Sequence, residues 1–563
     1  MSLKLFRSTE FSSSSLFSIP EQREAMHPAW LILLASLWIA TACNVPLWRE
    51  LLRLPELDNL RGLAFGAGFA VAIAAAVGAL LTLLAWRWTL KPAIALFVLA
   101  AAFGAYFMMA YGVVIDTPMV TNVLQTNPRE TLDLLNLRLL LTVLVLALLP
   151  LLWLWRTPVK RVPWLRRLFQ NALLFIASCA LLAGTLLLIF QDFSSVMRNH
   201  TQVRYLINPL NSLYALVDLA SKPFQLDSNT LLPLGEDARL APLPGKPARP
   251  PLLVLVLGET ARSGNFALNG YGRPTNPKLA GEDVQSFRNA WSCGTSTAAS
   301  LPCMFSHLGR QAFESRKANY ENLLDVLQRA GLAVLWIDNQ SGCKGVCDRV
   351  AQADTSNLKV PGLCEGGECF DEIMLNQLDQ RIAALPAERR AKGVVIVMHQ
   401  MGSHGPAYYK RVPAAFKKFQ PECTSNALQD CAREQVVNAF DNTILYTDQF
   451  LSSVIGWLKA QEPRSLPAML YVSDHGESLG ENNLYLHGLP YSIAPDVQKH
   501  VPWITWLSPA FAQAGKVSTA CLKQRLDAPL SHDNYFHSVL GLLHVQTAAY
   551  QPSLDMFRPC TTP

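Results

Sequence analysis

Charged side chains are scarce in this chain. Only 16% of its 563 residues are Asp, Glu, Lys or Arg, against about a quarter in a typical soluble globular protein. Half of the residues are hydrophobic. That combination excludes a disordered chain, a small disulfide-stapled peptide and an ordinary soluble enzyme. A net charge of +6 over this length leaves no basic footprint, so no nucleic-acid partner is expected. The first 27 residues also lack an apolar core, which argues against a cleavable signal peptide there.

What is abundant is long apolar runs, and they lie in the first third. Five are long enough to cross a bilayer as helices, at about 28–47, 62–86, 92–115, 138–155 and 168–190. Trp48, Trp86, Trp88, Trp153 and Trp155 mark their ends, as an interfacial aromatic belt requires. None carries an ionisable side chain at its centre, which disfavours a transporter or channel and favours an anchor that helps hold a lipid substrate. Ten basic residues fall in the tail (Lys4, Arg7, Arg23), the second loop (Arg87, Lys91) and the fourth loop (Arg156, Lys160, Arg161, Arg166, Arg167). The first loop has Arg49 and Arg53 with Arg61 at its boundary, and the third has Arg129 with Arg138 at its boundary. The positive-inside rule then makes 1–27 a cytoplasmic tail and sends everything beyond Phe190 outside. The third loop, Asp116 to Leu137, is the longest and faces outward, where it could shape a lipid entrance.

After the transmembrane domain (28–190), residues 191–251 read as an interfacial helix and a Pro-rich linker, and 252–563 as an exported catalytic domain. Strand candidates Leu252–Leu257, Leu332–Ile337, Val394–Met398, Met469–Val472 and Trp503–Leu507 alternate with helical stretches. This predicts an α/β domain with a mostly parallel sheet between helices. Ten of the 12 Cys lie here, in an oxidising space, so local disulfides are expected: Cys293–Cys303, Cys343–Cys347, Cys364–Cys369, Cys423–Cys431 and Cys521–Cys560. Cys43 and Cys179, inside the spans, read as inert apolar residues.

Four segments carry polar groups just past strand ends, where open α/β sheets build their sites. They are LLVLVLGETAR with Glu259, WSCGTSTAASLPCMF with Thr295, Ser296 and Thr297, VVIVMHQMGSHGP with His399 and His404, and LYVSDHGESLGENNLYLHG with Asp474, His475 and His487. Taken singly, a Ser or Thr is a helix cap, Glu259 pairs with Arg262, and Asp474-His475 is a turn. Together, two carboxylates and one imidazole suit zinc with a position left open. A hydroxyl in that position becomes a better nucleophile, the more so at a helix N-terminus. His404 and His487, with His399, are candidates for a second metal or for contacts to phosphate or leaving group. Which of the three hydroxyls attacks is left open by the residue types.

These segments resemble the phosphoethanolamine transferases of the alkaline phosphatase and sulfatase superfamily, most closely the lipid A enzymes of the EptA and mobile colistin resistance type. GETAR, SCGTSTAASLPCMFS, GSHGP followed by Tyr408-Tyr409-Lys410-Arg411, SDHGESLGE and the NPLNSLY stretch at Asn208–Tyr214 carry the likeness across nearly the whole chain. The resemblance implies a sulfatase-type catalytic domain behind a five-helix membrane domain, in the bacterial inner membrane with the catalytic part periplasmic. It implies zinc bound by Glu259, Thr297, Asp474 and His475, with Thr297 the nucleophile and a second zinc admitted near His404 and His487. Thr295 and Lys344 match substrate contacts, and Gln340 stands where some relatives have Asn. The implied reaction takes phosphoethanolamine from phosphatidylethanolamine, releases diacylglycerol and passes the group to a lipid A phosphate. Lower susceptibility to polymyxin and other cationic peptides follows from the reduced surface charge. A monomer is expected.

Three other readings fit parts of this pattern. One is a transferase to a core heptose or another glycan, and another is a membrane-anchored phosphodiesterase or sulfatase-type hydrolase. The sulfatase version lacks the C/S-x-P-x-R segment at the nucleophile position. The third is an anchored binding domain without activity.

Overall fold

The computed structural model describes residues 25–125, 128–225, 227–244 and 249–562, so the basic residues of the tail, Lys4, Arg7 and Arg23, lie outside the described residues. Five helices long and apolar enough to cross a membrane span Pro28–Leu51, Leu60–Leu83, Leu90–Tyr111, Leu137–Arg156 and Trp164–Leu188. The first three are 50–61% buried and the last two 17% and 6%, so the first three form the centre and the others the rim. Small residues set the close crossings: Gly78 of the second helix faces Ser36 of the first and Ser178 of the fifth.

The first helix breaks at a 3-10 turn, Ala42–Asn44. Pro46 has no N–H to continue the ladder there, and side chains take up the neighbouring carbonyls. Trp48 Nε1 donates to the oxygen of Ala40 at 3.0 Å, and Asn44 Nδ2 to that of Ile39 at 2.8 Å. Asn44 Nδ2 also reaches the oxygen of Asn208 at 2.6 Å, and Asn208 Nδ2 reaches the carbonyls of Cys43 and Ala101 at 2.9 and 2.6 Å. The NPLNSLY stretch is therefore plugged into the helix bundle at Asn208, and 191–220 does more than lie along the surface.

The domain after the spans is built on an eight-stranded sheet: β1 (Pro251–Gly258), β2 (Val284–Trp291), β3 (Ala333–Asp338), β4 (Ala351–Asp354), β5 (Val394–His399), β6 (Leu466–Ser473), β7 (His500–Leu507) and β8 (Leu530–Ser531). Their order is β8-β2-β7-β6-β1-β5-β3-β4. Only β7 runs antiparallel, against β6 and β2. All five predicted strands form. In β1, Leu253, Leu255 and Leu257 enter the core on one face while Leu252, Val254 and Val256 enter the core on the other. Burial on both faces explains an unbroken apolar run rather than an alternating one.

The segment read as a linker packs instead. Arg239–Leu240 pairs with Val545–Gln546, and Leu234 and Leu243 lie in the sheet's core. Its leucines have a face to bury, which proline counting did not weigh. All five expected disulfides are present, and Cys43 and Cys179 are free.

Candidate active site

Four parallel neighbours, β6, β1, β5 and β3, end on one side of the sheet. Their registers bring Ser473 beside Gly258, Leu257 beside His399 and His399 beside Asp338. The residues that follow or close these strands therefore meet: Asp474 and His475, Glu259, His399 and Asp338. The backbone turns sharply after β1, with Thr260 at φ +54°. The turn is held by Thr260 N–H on Asp474 Oδ1 at 3.2 Å and Ala261 N–H on the Ser473 hydroxyl at 2.9 Å. The loop after β5 comes so close that a Cβ on Gly402 would lie 2.9 Å from the oxygen of Glu259, and Gly402 is at φ +53°. Only glycine meets both demands.

One ligand atom each from Glu259, Asp474 and His475 lies within 4.8 Å of the others, and all three residues are fully buried. Thr297 opens the helix Thr297–Met304. Its Oγ1 is 3.2 and 3.1 Å from the two oxygens of Glu259 and 3.5 Å from His475 Nε2. His475 Nδ1 is tied to the oxygen of Gly476 at 2.9 Å, leaving Nε2 facing the carboxylates. Asp474 Oδ2 is buried with no hydrogen-bond partner.

The electrostatics ask for a cation. Burial and then the Asp474 charge push the Glu259 carboxyl above its usual range. Burial opposes protonation of His475, yet Asp474 and Glu259 outweigh it and push the imidazole up to about 9. Two buried carboxylates, one unpartnered oxygen and an imidazole with its second nitrogen fixed suit a divalent metal. The grouping of Cys343, Cys347 and Asp348 does not, because both sulfurs form a disulfide.

The remaining predicted residues are spread around this centre. The rings of His475 and His487 are 4.3 Å apart, and those of His404 and His487 5.8 Å. Burial, and then each ring's cationic neighbours, hold His404 and His487 well below the usual imidazole range. His399 belongs with Glu259 rather than with this pair: Nε2 is 3.9 Å from Glu259 Oε2, and Nδ1 is 3.1 Å from Asp338 Oδ2. Thr295 donates its hydroxyl to the oxygen of Leu489 at 2.6 Å and so anchors the hairpin that carries His487. Lys344 Nζ contacts Ser341 and the oxygen of Gln125, at 3.3 Å, from the membrane domain's third loop. Gln340 caps its own turn through Ser341. Arg262 does not pair with Glu259 but with Glu481.

Three carboxylates went unread in the sequence. Glu477 Oε2 lies 3.1 Å from His487 Nδ1. Asp338 joins His399, and Asp371 accepts from the Met401 and Gly402 amides and from Asn339 and Gln400. The quoted SDHGES motif already contained Glu477, whereas nothing in spacing marks the other two.

The third loop lines a cavity beside the two histidines. Its helix Thr117–Gln125 brings Met119 and Val123 to a cavity of about 130 Å³ shared with Tyr111, Leu134, His404 and His487.

A family model described as Sulfatase matches residues 251–545, and one described as Phosphoethanolamine transferase EptA/EptB matches residues 73–224. The phosphoethanolamine transferase EptA of Salmonella typhimurium is 41% identical over 537 residues, covering 94% of this chain and 96% of that protein. The phosphatidylethanolamine transferase Mcr-1 of Escherichia coli is 37% identical, covering 93% and 96%. The structure of the integral membrane protein lipooligosaccharide phosphoethanolamine transferase A from Neisseria meningitidis superposes with a TM-score of 0.89 at 36% identity, covering 95% of this chain and 99% of that one.

Proposed function

Because the chain belongs to the EptA-type phosphoethanolamine transferases, membrane enzymes with a sulfatase-type domain, we propose that it moves phosphoethanolamine from phosphatidylethanolamine to a phosphate of lipid A through a covalent Thr297 intermediate. The observation that carries this is the Thr297 hydroxyl, set 3.1–3.2 Å from the Glu259 carboxylate at the start of a helix. Zinc held by Glu259, Asp474, His475 and Thr297 would lower the hydroxyl's pKa and offset the charge of the phosphoryl group. A second ion near His404 and His487 is compatible with their neutral rings.

In the first half-reaction Thr297 Oγ1 forms a bond to the donor phosphorus, the bond to the diacylglycerol oxygen breaks, and the proton lost by Thr297 ends on that oxygen. In the second, a lipid A phosphate oxygen attacks the same phosphorus, the Thr297 Oγ1–P bond breaks, and the proton of the attacking phosphate restores the Thr297 hydroxyl. The helix N-terminus supports the anionic oxygens in both halves. His404 and His487 hold the phosphoryl oxygens, with His487 fixed by Glu477 and with Lys344 and Thr295 nearby to orient the group. His399, braced by Asp338, positions Glu259. The catalytic domain would face the periplasm, with the N-terminus cytoplasmic, so donor and acceptor share one leaflet. The enzyme would act as a monomer.

The test is mass spectrometry of lipid A from a host lacking such enzymes. The intact chain should add one phosphoethanolamine mass and lower polymyxin susceptibility. Thr297→Ala should reduce transfer by about 10⁴-fold or more. Modification by Thr297→Ala at the wild-type level would overturn the nucleophile assignment. Modified core sugars with untouched lipid A would overturn the acceptor.

A further inference from the structure

A second cavity, of about 420 Å³, opens on the outward side of the membrane domain and shares no lining residue with the smaller cavity beside His404 and His487, which the proposed reaction uses as the donor's entrance. The two are separated by a partition one chain thick. Met108, Met109, Gly112 and Val114 face the larger cavity, whereas Phe107, Tyr111, Val113 and Ile115 face the entrance. The third span ends at Tyr111, and Gly112 turns left-handed at φ +71°, after which the extended chain sends alternate residues to opposite sides. The hairpin below continues the wall, with Leu484 and Leu489 on the larger cavity and Leu486 and His487 on the entrance. Leu489 is also the residue whose carbonyl holds Thr295, two positions from Thr297. One wall residue of the larger cavity is thus bonded to the segment that carries Thr297.

Its charged lining residues are Arg49, Glu50 and Arg53 at the end of the first span, with Gln202, Asn482 and Asn483 as its other polar ones. Outward-facing arginines run against the bias that sets this protein's orientation, so their presence calls for a reason. Arg61, the third of the group, pairs with Asp192 at 2.9 Å. Arg53 stands 3.6 Å from Glu50 with 56% of its side chain exposed, a weak pairing in that setting. Arg49 is exposed and makes no ion pair among the described residues. Two arginines beside an apolar slot at the headgroup level complement a phosphate on an acylated lipid, and the guanidinium fork matches phosphate oxygens in pairs. The donor lipid does not need them: its single phosphate is the reacting group and carries its own ammonium. An acceptor with two phosphates presents one that does not react.

Resting on the acceptor reading above, we propose that the Arg49–Arg53 cavity holds the unreacting phosphate of a bis-phosphorylated acceptor lipid and so presents the other phosphate to Thr297. The cavity is an acceptor site, divided by the Phe107–Ile115 partition from the side on which the donor enters.

The test uses the full-length chain in lipid nanodiscs with two readouts: the burst of diacylglycerol released from phosphatidylethanolamine alone, and steady-state transfer to bis-phosphorylated or monophosphorylated lipid A. The double variant Arg49→Gln/Arg53→Gln should raise KM for the bis-phosphorylated acceptor by about tenfold or more, with kcat and the burst unchanged. The wild type should show a similarly raised KM for the monophosphorylated acceptor, and the double variant should not raise it further. Arg49→Lys/Arg53→Lys should recover part of the loss. An unchanged acceptor KM in the double variant would overturn the proposal, as would a wild type that treats both acceptors alike. So would a burst that falls in step with transfer, which would make the cavity a donor site or a structural one. A wild type that releases no diacylglycerol, or modifies neither acceptor, would overturn the parent reading as well, and that result is seen before any variant is compared.

Discussion

Asp448 sits inside the 29-residue helix Arg433–Gln461 and accepts the backbone N–H groups of Lys278 and Leu279, both at 2.9 Å. Burial pushes its carboxyl up to about 6 from the ordinary 3.8. A raised value means that the folded state holds the proton more tightly. The stabilisation is therefore complete below the ordinary carboxylate range and is lost as pH rises through about 6, a change on the order of 3 kcal/mol. Asp448→Asn cannot titrate, so its apparent melting temperature relative to wild type should move in the variant's favour between about pH 4 and 7. A constant difference would refute the assignment. The same burial explains which site residues could be read from sequence. Glu259, Asp474 and His475 follow directly on apolar strands, and a polar residue there is conspicuous. Asp338 is 61 positions from His399 and Asp371 is 30 from Met401, so only the folded sheet brings them together. Thr295 illustrates the converse, since its sequence neighbours say nothing of Leu489.

Among elements, spans and buried strands were legible because each is a run of apolar residues of the right length. β2 (Val284–Trp291) was not. It carries exposed Arg288 and half-buried Asn289, and it joins the sheet against the antiparallel β7, where alternate exposure breaks the apolar run. The stretch after the last span was legible as helical, but its anchorage was not, because it turns on side-chain bonds such as those of Asn208. Asn208 lies against Gly104, where a Cβ would meet its Oδ1 at 2.5 Å. Gly104→Val should displace Asn208 and lower the apparent melting temperature, at a cost of about 1–3 kcal/mol. Gly184→Val, in the fifth span with no atom within 4 Å of the added Cβ, is the control and should leave it unchanged. Equal behaviour of the two would remove Asn208 from its place as an anchor.

At the scale of the whole molecule, the catalytic domain is fastened to the membrane domain through Asp133 in the third loop. Arg411, almost fully buried, reaches Asp133 at 3.0 Å and also pairs with Glu368, and Lys410 pairs with Asp133 as well. Asn426 adds a bond to the carbonyl of Asp133 at 2.8 Å. Removing one partner of a buried ion pair leaves the other charge uncompensated. Asp133→Ala should therefore loosen the docking rather than the sheet. Metal content and the domain's own melting should hold, transfer from a bilayer donor should fall about tenfold, and the 128–137 loop should become more open to protease. Unchanged transfer would show that the clasp is not needed. This fastening was invisible in the sequence, where Asp133 and Arg411 are 278 positions apart.

A site fastened in this way meets its lipids as members of a surface rather than as solutes. With the proposed donor, its rate should follow the mole fraction of phosphatidylethanolamine among the lipids around it, not the amount in the tube. Adding inert detergent or a neutral diluent lipid at constant donor should slow it without binding it, and an inhibitor that partitions into the leaflet should look more potent the less membrane there is to share it.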